Sequence, residues 1–223
     1  MNITSKITQK LAALVVVTAG VCVSSPFADN AVNAQNHDEA QSAAKAEIGK
    51  AAPQFKLDDT KGKTVDLSKL AGKVVVLEWF NHGCPFVKKH YDSNNMQALQ
   101  KEYTGKGVVW LSICSSAKGK QGNATAQKHD EDAKAANANP SHILIDQDGQ
   151  VGRLYGAKTT PHMFVIDKKG ILVYAGAIDD KPSTEAQDVK NAKNYVKAAL
   201  DEVLKNKPVS VASTKAYGCS VKY

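Results

Sequence analysis

VVVLEWFNHGCPFVKKHY, residues Val74 to Tyr91, contains the change of pattern that decides the fold. Its first seven residues are apolar except for Glu78, which is the pattern of a strand covered on both faces in a parallel sheet. A turn with Cys84 follows, and Pro85 is well placed as the first residue of a helix. A cysteine between a strand and a helix faces the positive helix end, which favours the thiolate over the thiol.

The residues after this stretch predict a strand–helix–strand unit. Residues 85–103 are expected to form one helix, with Val87, Met96 and Leu99 among its apolar positions. Residues 107–114 are apolar enough to form the neighbouring strand. Strand, helix and strand at this spacing form a βαβ unit.

The same patterns predict further elements on both sides of this unit. They are a hairpin over 53–73 with Phe55, Leu57 and Val65 inward, a polar helix over 124–138, a strand over 142–145, a second hairpin over 159–178, and a closing helix over 185–206 with Val189, Val196, Leu200 and Val203 inward. Strands that alternate with helices indicate an α/β sheet protein.

The start of the chain is typical of a secretory signal peptide. Lys6 and Lys10 precede an apolar run of 13 residues, 11–23, which is too short to span a bilayer and is followed by small residues. We therefore expect a signal peptide over 1–28 and an exported protein, periplasmic or extracellular. Cys22 leaves lipidation as an alternative, although Val21 precedes it where a small residue is wanted.

The composition indicates that nucleic acid is not a partner of this protein. The formal charge of +7 comes from dispersed lysines with one arginine, Arg153, and no dense basic cluster is present. We also expect no membrane association after signal cleavage. The remaining chain is expected to divide into a flexible linker over 29–46, a domain over 47–206 and a cysteine-containing tail over 207–223.

Signal cleavage would leave three cysteines, Cys84, Cys114 and Cys219. A disulfide is permitted in an exported protein, and an odd number of cysteines leaves at least one thiol free or paired with another molecule. Three pairings are possible, and the residues alone do not choose among them.

Two further features lie near the expected site. Glu78 within a doubly covered strand should have a raised pKa if it is buried, whereas at a strand end it would reach water. Thr160-Pro161 interrupts a strand, and a proline there can place a rigid backbone edge beside a site. Cys84 itself is either a reactive thiol or a buried structural cysteine.

A set of short motifs along the chain resembles the thioredoxin superfamily. They are Ile48-Gly49, Pro53, Phe55, Gly62-Lys63, Leu67, Glu78-Trp79-Phe80, Cys84, and Thr160-Pro161 followed by VIDKKG. They are most similar to the redoxin branch, also called alkyl hydroperoxide reductase/thiol-specific antioxidant, and to a peroxiredoxin-like group of exported bacterial proteins. The resemblance covers about residues 47–206 and implies a thioredoxin-like sandwich, with a central mixed β-sheet flanked by helices, an N-terminal β-hairpin and a C-terminal tail.

The resemblance also implies roles for individual residues. Cys84 matches the nucleophilic first cysteine, Glu78 the buried acid that manages its proton, and Pro161 the cis-proline, with Thr160 facing the sulfur. The tail with Gly218-Cys219 resembles a recurring ending of the peroxiredoxin-like group, which suggests Cys219 as the resolving thiol. Cys114 is the second candidate for the resolving thiol. The third alternative is that Cys84 has no partner cysteine within the chain.

The chain also departs from the patterns of its relatives. Val87 stands where thioredoxins have their second cysteine. Leu77 and Asn81 stand where a peroxiredoxin has Pro and Thr or Ser, and Arg153 is the only candidate for the activating arginine. Efficient peroxide reduction is therefore not implied.

The function expected from these features is that of a thiol–disulfide oxidoreductase or thiol-dependent antioxidant. Its substrate would be a thiol or disulfide protein or a small peroxide, and no organic cofactor is needed. One alternative is a non-catalytic redoxin-fold protein that binds a metal or a partner, in which His82, Cys84, His90 and His162 could gather near one point. Another alternative is a structural protein in which Cys84 or Cys219 forms a stabilising disulfide.

Overall fold

A computed structural model describes residues 45–223 of the chain. The predicted signal peptide, Cys22 and nearly all of the predicted linker lie outside the described residues. The strands are β1 (Lys56–Asp58), β2 (Thr64–Asp66), β3 (Val75–Trp79), β4 (Val109–Cys114), β5 (His142–Ile145), β6 (Thr159–Thr160), β7 (His162–Ile166), β8 (Leu172–Gly176) and β9 (Cys219–Ser220). The α-helices are α1 (Pro85–Asp92), α2 (Asn95–Gly105), α3 (Ala126–Ala135), α4 (Gln150–Tyr155) and α5 (Tyr195–Leu204).

Five strands form a central mixed sheet in the order β5-β4-β3-β7-β8. β3 is parallel to β4, and β4 is parallel to β5, whereas β7 runs antiparallel to both β3 and β8. Two smaller pairs accompany this sheet, the predicted hairpin β1-β2 and the pair β6-β9. The central mixed sheet flanked by helices is confirmed.

The two faces of the sheet are covered by different elements, as the apolar sequence of β3 predicts. Alternate residues of β3 point to opposite faces, so one strand contributes to two hydrophobic cores. One core lies under α1, α2 and α5 and includes Val76, Phe80, Val87, Met96, Leu99, Trp110, Val196, Leu200 and Val203. The other lies under the hairpin and α4 and includes Phe55, Val65, Leu77, Trp79, Leu111, Tyr155 and Phe164.

The single helix predicted over 85–103 is wrong, because the chain forms two helices there. α1 ends before Ser93, and Asn94 has a left-handed backbone with φ of 58°. Asn adopts this conformation more readily than most residues, and Ser and Asn compete with helical hydrogen bonding through their side chains.

The predicted closing helix over 185–206 is also interrupted. A 3-10 helix covers Ala186–Asn191, and α5 begins only after Asn194, whose side chain accepts from the Lys197 backbone N–H at 2.8 Å. Asn is among the preferred helix N-caps, which explains the late start. Val189 is half-buried, so its predicted inward position is wrong, whereas the three later apolar positions of this segment are buried.

The tail over 207–223 packs against the rest of the described chain. The Ala175 backbone N–H on the edge strand β8 donates to Ala212 O at 3.0 Å, and Thr214 N donates to Ala175 O at 3.2 Å. Further on, β9 pairs antiparallel with β6. The tail therefore covers one edge of the sheet and then reaches the loop that contains Pro161. Among residues 45–223, no helix is both long and apolar enough to cross a membrane.

Candidate active site

Cys84 lies where β3 passes into α1, and its side chain is 0% exposed. It is the N-cap residue of α1, and Pro85 occupies the first helical position. The turn is held by Asn81, whose side-chain oxygen accepts from the Gly83 N–H at 2.8 Å and whose backbone oxygen accepts from the Cys84 N–H at 2.9 Å. The thiol is thus fixed at the positive end of a helix, as the sequence predicts.

The structure brings Cys219 into contact with Cys84. Thr160 of β6 is paired with Cys219 of β9. This pairing places Cys219 Sγ 2.8 Å from Cys84 Sγ. Both cysteines are free thiols in this structure. Because a disulfide has an S–S bond of about 2.05 Å, a small movement would join them.

The environment acts on the two thiols in opposite directions. Burial raises the pKa of Cys84, but the hydrogen bonds from Cys219, Thr160 and the Val87 backbone together outweigh it, so the pKa of Cys84 lies below its ordinary value. Burial and then the interaction with Cys84 raise the pKa of Cys219 to about 11. Cys84 is therefore the more acidic thiol of the pair and Cys219 the less acidic one.

The Thr160-Pro161 peptide bond is cis. In its thiol form Cys84 donates from Sγ to the carbonyl oxygen of Thr160 at 3.0 Å, which places this backbone edge directly against the sulfur. The Thr160 side chain is 3% exposed, and its hydroxyl has no hydrogen-bond partner among the described residues.

Glu78 is completely buried in β3 on the face that packs under α1 and α2. Four side chains donate hydrogen bonds to its carboxylate, over distances of 2.7 to 3.1 Å; they are Tyr91, Gln100, Trp110 and Ser112. Burial raises the pKa of Glu78, and these hydrogen bonds act against that shift. None of the hydrogen bonds found for Glu78 joins it to Cys84, so a proton would have to pass between them through an intermediate such as water.

The AhpC/TSA family model matches residues 48–175, which is more than half of the chain. The chain belongs to the AhpC/TSA family. Together with the central sheet, this membership confirms the predicted thioredoxin-like redoxin fold. The match ends before the tail, so it includes Cys84 and Thr160-Pro161 but not Cys219.

Two kinds of relative are similar to this AhpC/TSA protein in sequence. The thiol-disulfide oxidoreductase ResA of Bacillus thuringiensis is 29% identical over 129 residues, covering 58% of this chain and 69% of that protein. The thiol:disulfide interchange protein DsbE of Yersinia pestis is 28% identical over 149 residues, covering 60% of this chain and 67% of that protein.

Solved structures are similar over a larger part of the chain. An uncharacterized conserved protein from Geobacillus kaustophilus has 26% identity and a TM-score of 0.68, covering 81% of this chain and 94% of that one. A hypothetical protein from Sinorhizobium meliloti has 24% identity and a TM-score of 0.67, covering 81% of this chain and 97% of that one. The latter similarity shows the fold alone.

The positions at which this AhpC/TSA chain departs from peroxiredoxins have other contacts here. Leu77 is buried in the second core, and the Asn81 side chain donates to Gln121 O at 3.0 Å while shaping the turn before Cys84. Arg153 donates to Asp148 O at 2.7 Å, and its guanidinium lies 4.5 Å from the Tyr223 ring centre. No contact found for Arg153 reaches Cys84, so it does not replace the activating arginine of a peroxiredoxin in this arrangement.

Cys114 and the histidines of the metal-binding alternative have other contacts in the described structure. Cys114 is buried and donates to Gly122 O at 3.3 Å, and burial raises its pKa. His90 Nε2 lies 3.2 Å from the Tyr217 hydroxyl, while His162 Nδ1 accepts from the Lys158 N–H at 3.2 Å. Among residues 45–223, no three His, Cys, Asp or Glu side chains are arranged to hold a metal ion.

Tyr217 anchors the tail beside the site, and the sequence does not reveal what binds it. The Tyr217 hydroxyl donates to Asp179, whose carboxylate lies 3.5 Å from the Lys89 ammonium. The side chains of Lys89 and Asp179 are 0% and 1% exposed. We call Lys89, His90, Asp179 and Phe86 the tyrosine socket. Lys89 lies in a basic segment that reads as solvated, so no sequence signal separates it from Lys88.

Tyr223 anchors the other end of the tail. Its hydroxyl donates to Ala157 O at 2.8 Å, and its ring lies against α4. A Cβ atom at Gly149 or Gly152 would lie 2.4 or 2.5 Å from Tyr223 atoms, so these glycines make room for the ring. Tyr217 and Tyr223 thus hold the tail on both sides of Cys219.

Proposed function

We propose that this protein is an exported two-cysteine thiol–disulfide oxidoreductase in which Cys84 is the nucleophile and Cys219 the resolving thiol. The observation that carries the proposal is the 2.8 Å contact between the two sulfur atoms beside the Thr160 carbonyl. An oxidoreductase that acts on thiols and disulfides is supported by the AhpC/TSA match and by the similarity to ResA and DsbE.

The first step is attack by the Cys84 thiolate on one sulfur of a substrate disulfide. A bond forms between Cys84 Sγ and that sulfur, and the second substrate sulfur leaves as a thiolate and takes up a proton. The lowered pKa of Cys84 supplies the thiolate, and the unpartnered Thr160 hydroxyl is placed to bond the incoming group.

The second step is attack by Cys219 on Cys84 Sγ. The Cys84–Cys219 bond forms, and the first substrate sulfur is released as a thiol. Cys84 is one of the causes of the raised pKa of Cys219. Once Cys84 is held in a mixed disulfide its charge is gone, so the pKa of Cys219 falls when its thiolate is needed. An external dithiol would then reduce the Cys84–Cys219 bridge and complete the cycle.

Glu78 is proposed to exchange protons with this chemistry through water. Its raised pKa allows a protonated carboxyl to persist at higher pH than in an exposed glutamate.

Export is proposed from the signal-like pattern of residues 1–28, and N-terminal sequencing of the protein recovered from the cell envelope would test it.

The numbers of leaving groups released from a chromogenic aromatic disulfide test the two cysteine roles. In a Cys22→Ser background, the reduced chain should release two aromatic thiols per molecule in the fast phase, one for each step. Cys219→Ser should release one and retain the other on Cys84, and Cys84→Ser should release none in that phase. Two thiols released by the Cys219→Ser variant would contradict the role of Cys219.

A further inference from the structure

The segment Tyr217–Gly218–Cys219 lies in the site as a bound peptide would. It runs antiparallel to β6, with Cys219 opposite Thr160 and Ser220 opposite Thr159. With the tail in this position Cys84 is 0% exposed. A polypeptide substrate can therefore reach Cys84 only when the tail leaves, and it then finds the groove that the tail occupied.

Gly218 lies so close to the Thr160 backbone that no side chain fits at this position. Its φ is +134°, and a Cβ atom there would lie 2.1 Å from the Thr160 carbonyl oxygen and 2.8 Å from the Thr160 carbonyl carbon. Both neighbours are backbone atoms beside the cis peptide bond, so they cannot rotate away as a side chain would. A residue other than glycine before the cysteine would have to leave this register.

The tyrosine socket recognises a phenol rather than an apolar ring. The Tyr217 ring packs edge-on against Phe86, with 5.9 Å between ring centres, and the Lys89 ammonium lies 5.5 Å from the Tyr217 ring centre. The hydroxyl donates to Asp179 and lies 3.2 Å from His90 Nε2. A segment without the hydroxyl would leave these buried polar groups without that partner, which is the arrangement that gives strong discrimination.

We propose that the groove beside Thr160 selects polypeptides with a Tyr-Gly-Cys segment as disulfide substrates, and that the tail is its resident occupant. This inference rests on the proposed function, since Cys84 must be the nucleophile. Tyrosine occupies the tyrosine socket, glycine lies against the Thr160 carbonyl and the cysteine sulfur meets Cys84.

The redox step is that of the proposed function with a defined substrate. Cys84 attacks the cysteine sulfur of the segment, and the group that was disulfide-bonded to it leaves as a thiolate. When the tail returns, Cys219 displaces the segment cysteine as a thiol and forms the Cys84–Cys219 bond. The substrate disulfide is reduced to two thiols, and the chain's own dithiol is oxidised.

A peptide with the sequence of Lys215–Lys222 provides the test. Its cysteine is supplied as a mixed disulfide with nitrothiobenzoate, whose release is followed by absorbance. The protein is the full chain with Gly218→Ala, which removes the tail from the groove, and Cys219→Ser, which prevents resolution. Mass-spectrometric mapping restricts the measurement to Cys84.

The second-order rate constant should fall at least about tenfold when alanine replaces the glycine of the peptide, and at least about fivefold when phenylalanine replaces its tyrosine. The full chain with Cys219→Ser alone retains Gly218, so its docked tail should slow reaction with the unaltered peptide. This variant also allows the peptides to be compared if Gly218→Ala does not fold.

Equal rate constants for the glycine and alanine peptides would overturn the inference while leaving the proposed function intact. A small aromatic disulfide distinguishes the two failures, because it needs no segment recognition. If that reagent also fails to modify Cys84 in the fast phase, the proposed function is wrong and the inference falls with it.

Discussion

The opposite pKa shifts of Cys84 and Cys219 assign different roles to two residues of the same type. The lowered pKa of Cys84 depends on hydrogen bonding from Cys219, and burial alone would raise it. Replacing Cys219 with alanine removes this hydrogen bond from the thiolate. We expect the pKa of Cys84 to rise in Cys219→Ala, so the midpoint of its alkylation rate should move to higher pH.

Alkylation with iodoacetamide across a pH series, with peptide mapping of Cys84, measures this midpoint. Alanine also opens access to Cys84, which weakens the effect of burial on its pKa; Cys219→Ser keeps a hydrogen-bond donor of similar size, so its midpoint should lie below that of Cys219→Ala. A midpoint at the same pH as in the unaltered chain would contradict the role given to Cys219.

Glu78 provides a second test at the residue scale. Its raised pKa means that the folded chain holds this proton to higher pH than the unfolded chain does. The free energy of unfolding should therefore fall as pH rises from the ordinary glutamate pKa to the raised one. Glu78→Gln removes this titration, although it also costs about 1–3 kcal/mol through mismatched hydrogen bonds.

Urea denaturation of both proteins over a pH series measures the effect of Glu78. We expect the stability difference between the unaltered chain and Glu78→Gln to decrease as pH rises through that window. A difference that is constant with pH would show that Glu78 does not titrate there.

Single residues were predictable from sequence where local pattern determines their environment. Cys84 and Glu78 lie in or beside a strand whose apolar run predicts burial, and both are buried. The tyrosine socket was not predictable, because Lys89 and Asp179 are 90 residues apart and meet only through the fold. The local sequence around the buried lysine on α1 does not differ from that around an exposed lysine.

At the scale of elements, the ion pair between Lys89 and Asp179 joins the active-site helix α1 to the segment after β8, and Tyr217 of the tail donates to the same Asp179. Both side chains are buried, so removing one partner leaves a charge without compensation. We expect Lys89→Met to lower the free energy of unfolding by about 3 kcal/mol or more. The pair Lys106 and Glu102 is 46% and 39% exposed, so Lys106→Met is the matched control, with an expected loss below about 1 kcal/mol.

Urea denaturation at neutral pH compares the two methionine variants. Equal losses would show that burial does not distinguish these pairs.

Helix ends were less predictable than strands. The strand predicted at 142–145 is confirmed, since its apolar residues are bounded by polar ones. The break between α1 and α2 depends on one left-handed residue, Asn94. The helix α4 was not predicted, because it has only six residues, and glycines at positive φ lie on both sides of it.

For the whole molecule, histidines with lowered pKa values couple folding to pH. Burial lowers the pKa of His82, His90 and His162 to about 4 from an ordinary value of 6.5. The unfolded chain then binds more protons than the folded chain between these pH values. The contribution of these histidines to stability should be fully present above about pH 6.5 and should be lost as pH falls towards 4.

Each of these histidines contributes up to about 1.4 kcal/mol per pH unit to this slope. We expect His162→Gln to reduce the slope by about one proton while keeping a side-chain hydrogen-bond acceptor for Lys158. Urea denaturation between pH 4 and 7 measures the slope, and an unchanged slope would contradict a neutral buried His162.

The central claim concerns which cysteine meets Cys84 across the whole chain, and sequence left three alternatives open. The tail lies outside the family match, and its docking depends on both aromatic anchors and on the β6-β9 pairing. The most direct measurement is mass-spectrometric disulfide mapping of the reduced full chain after a brief, mild oxidation. We expect a Cys84–Cys219 bridge with Cys114 reduced; a Cys84–Cys114 bridge, or no bridge from Cys84, would contradict the account.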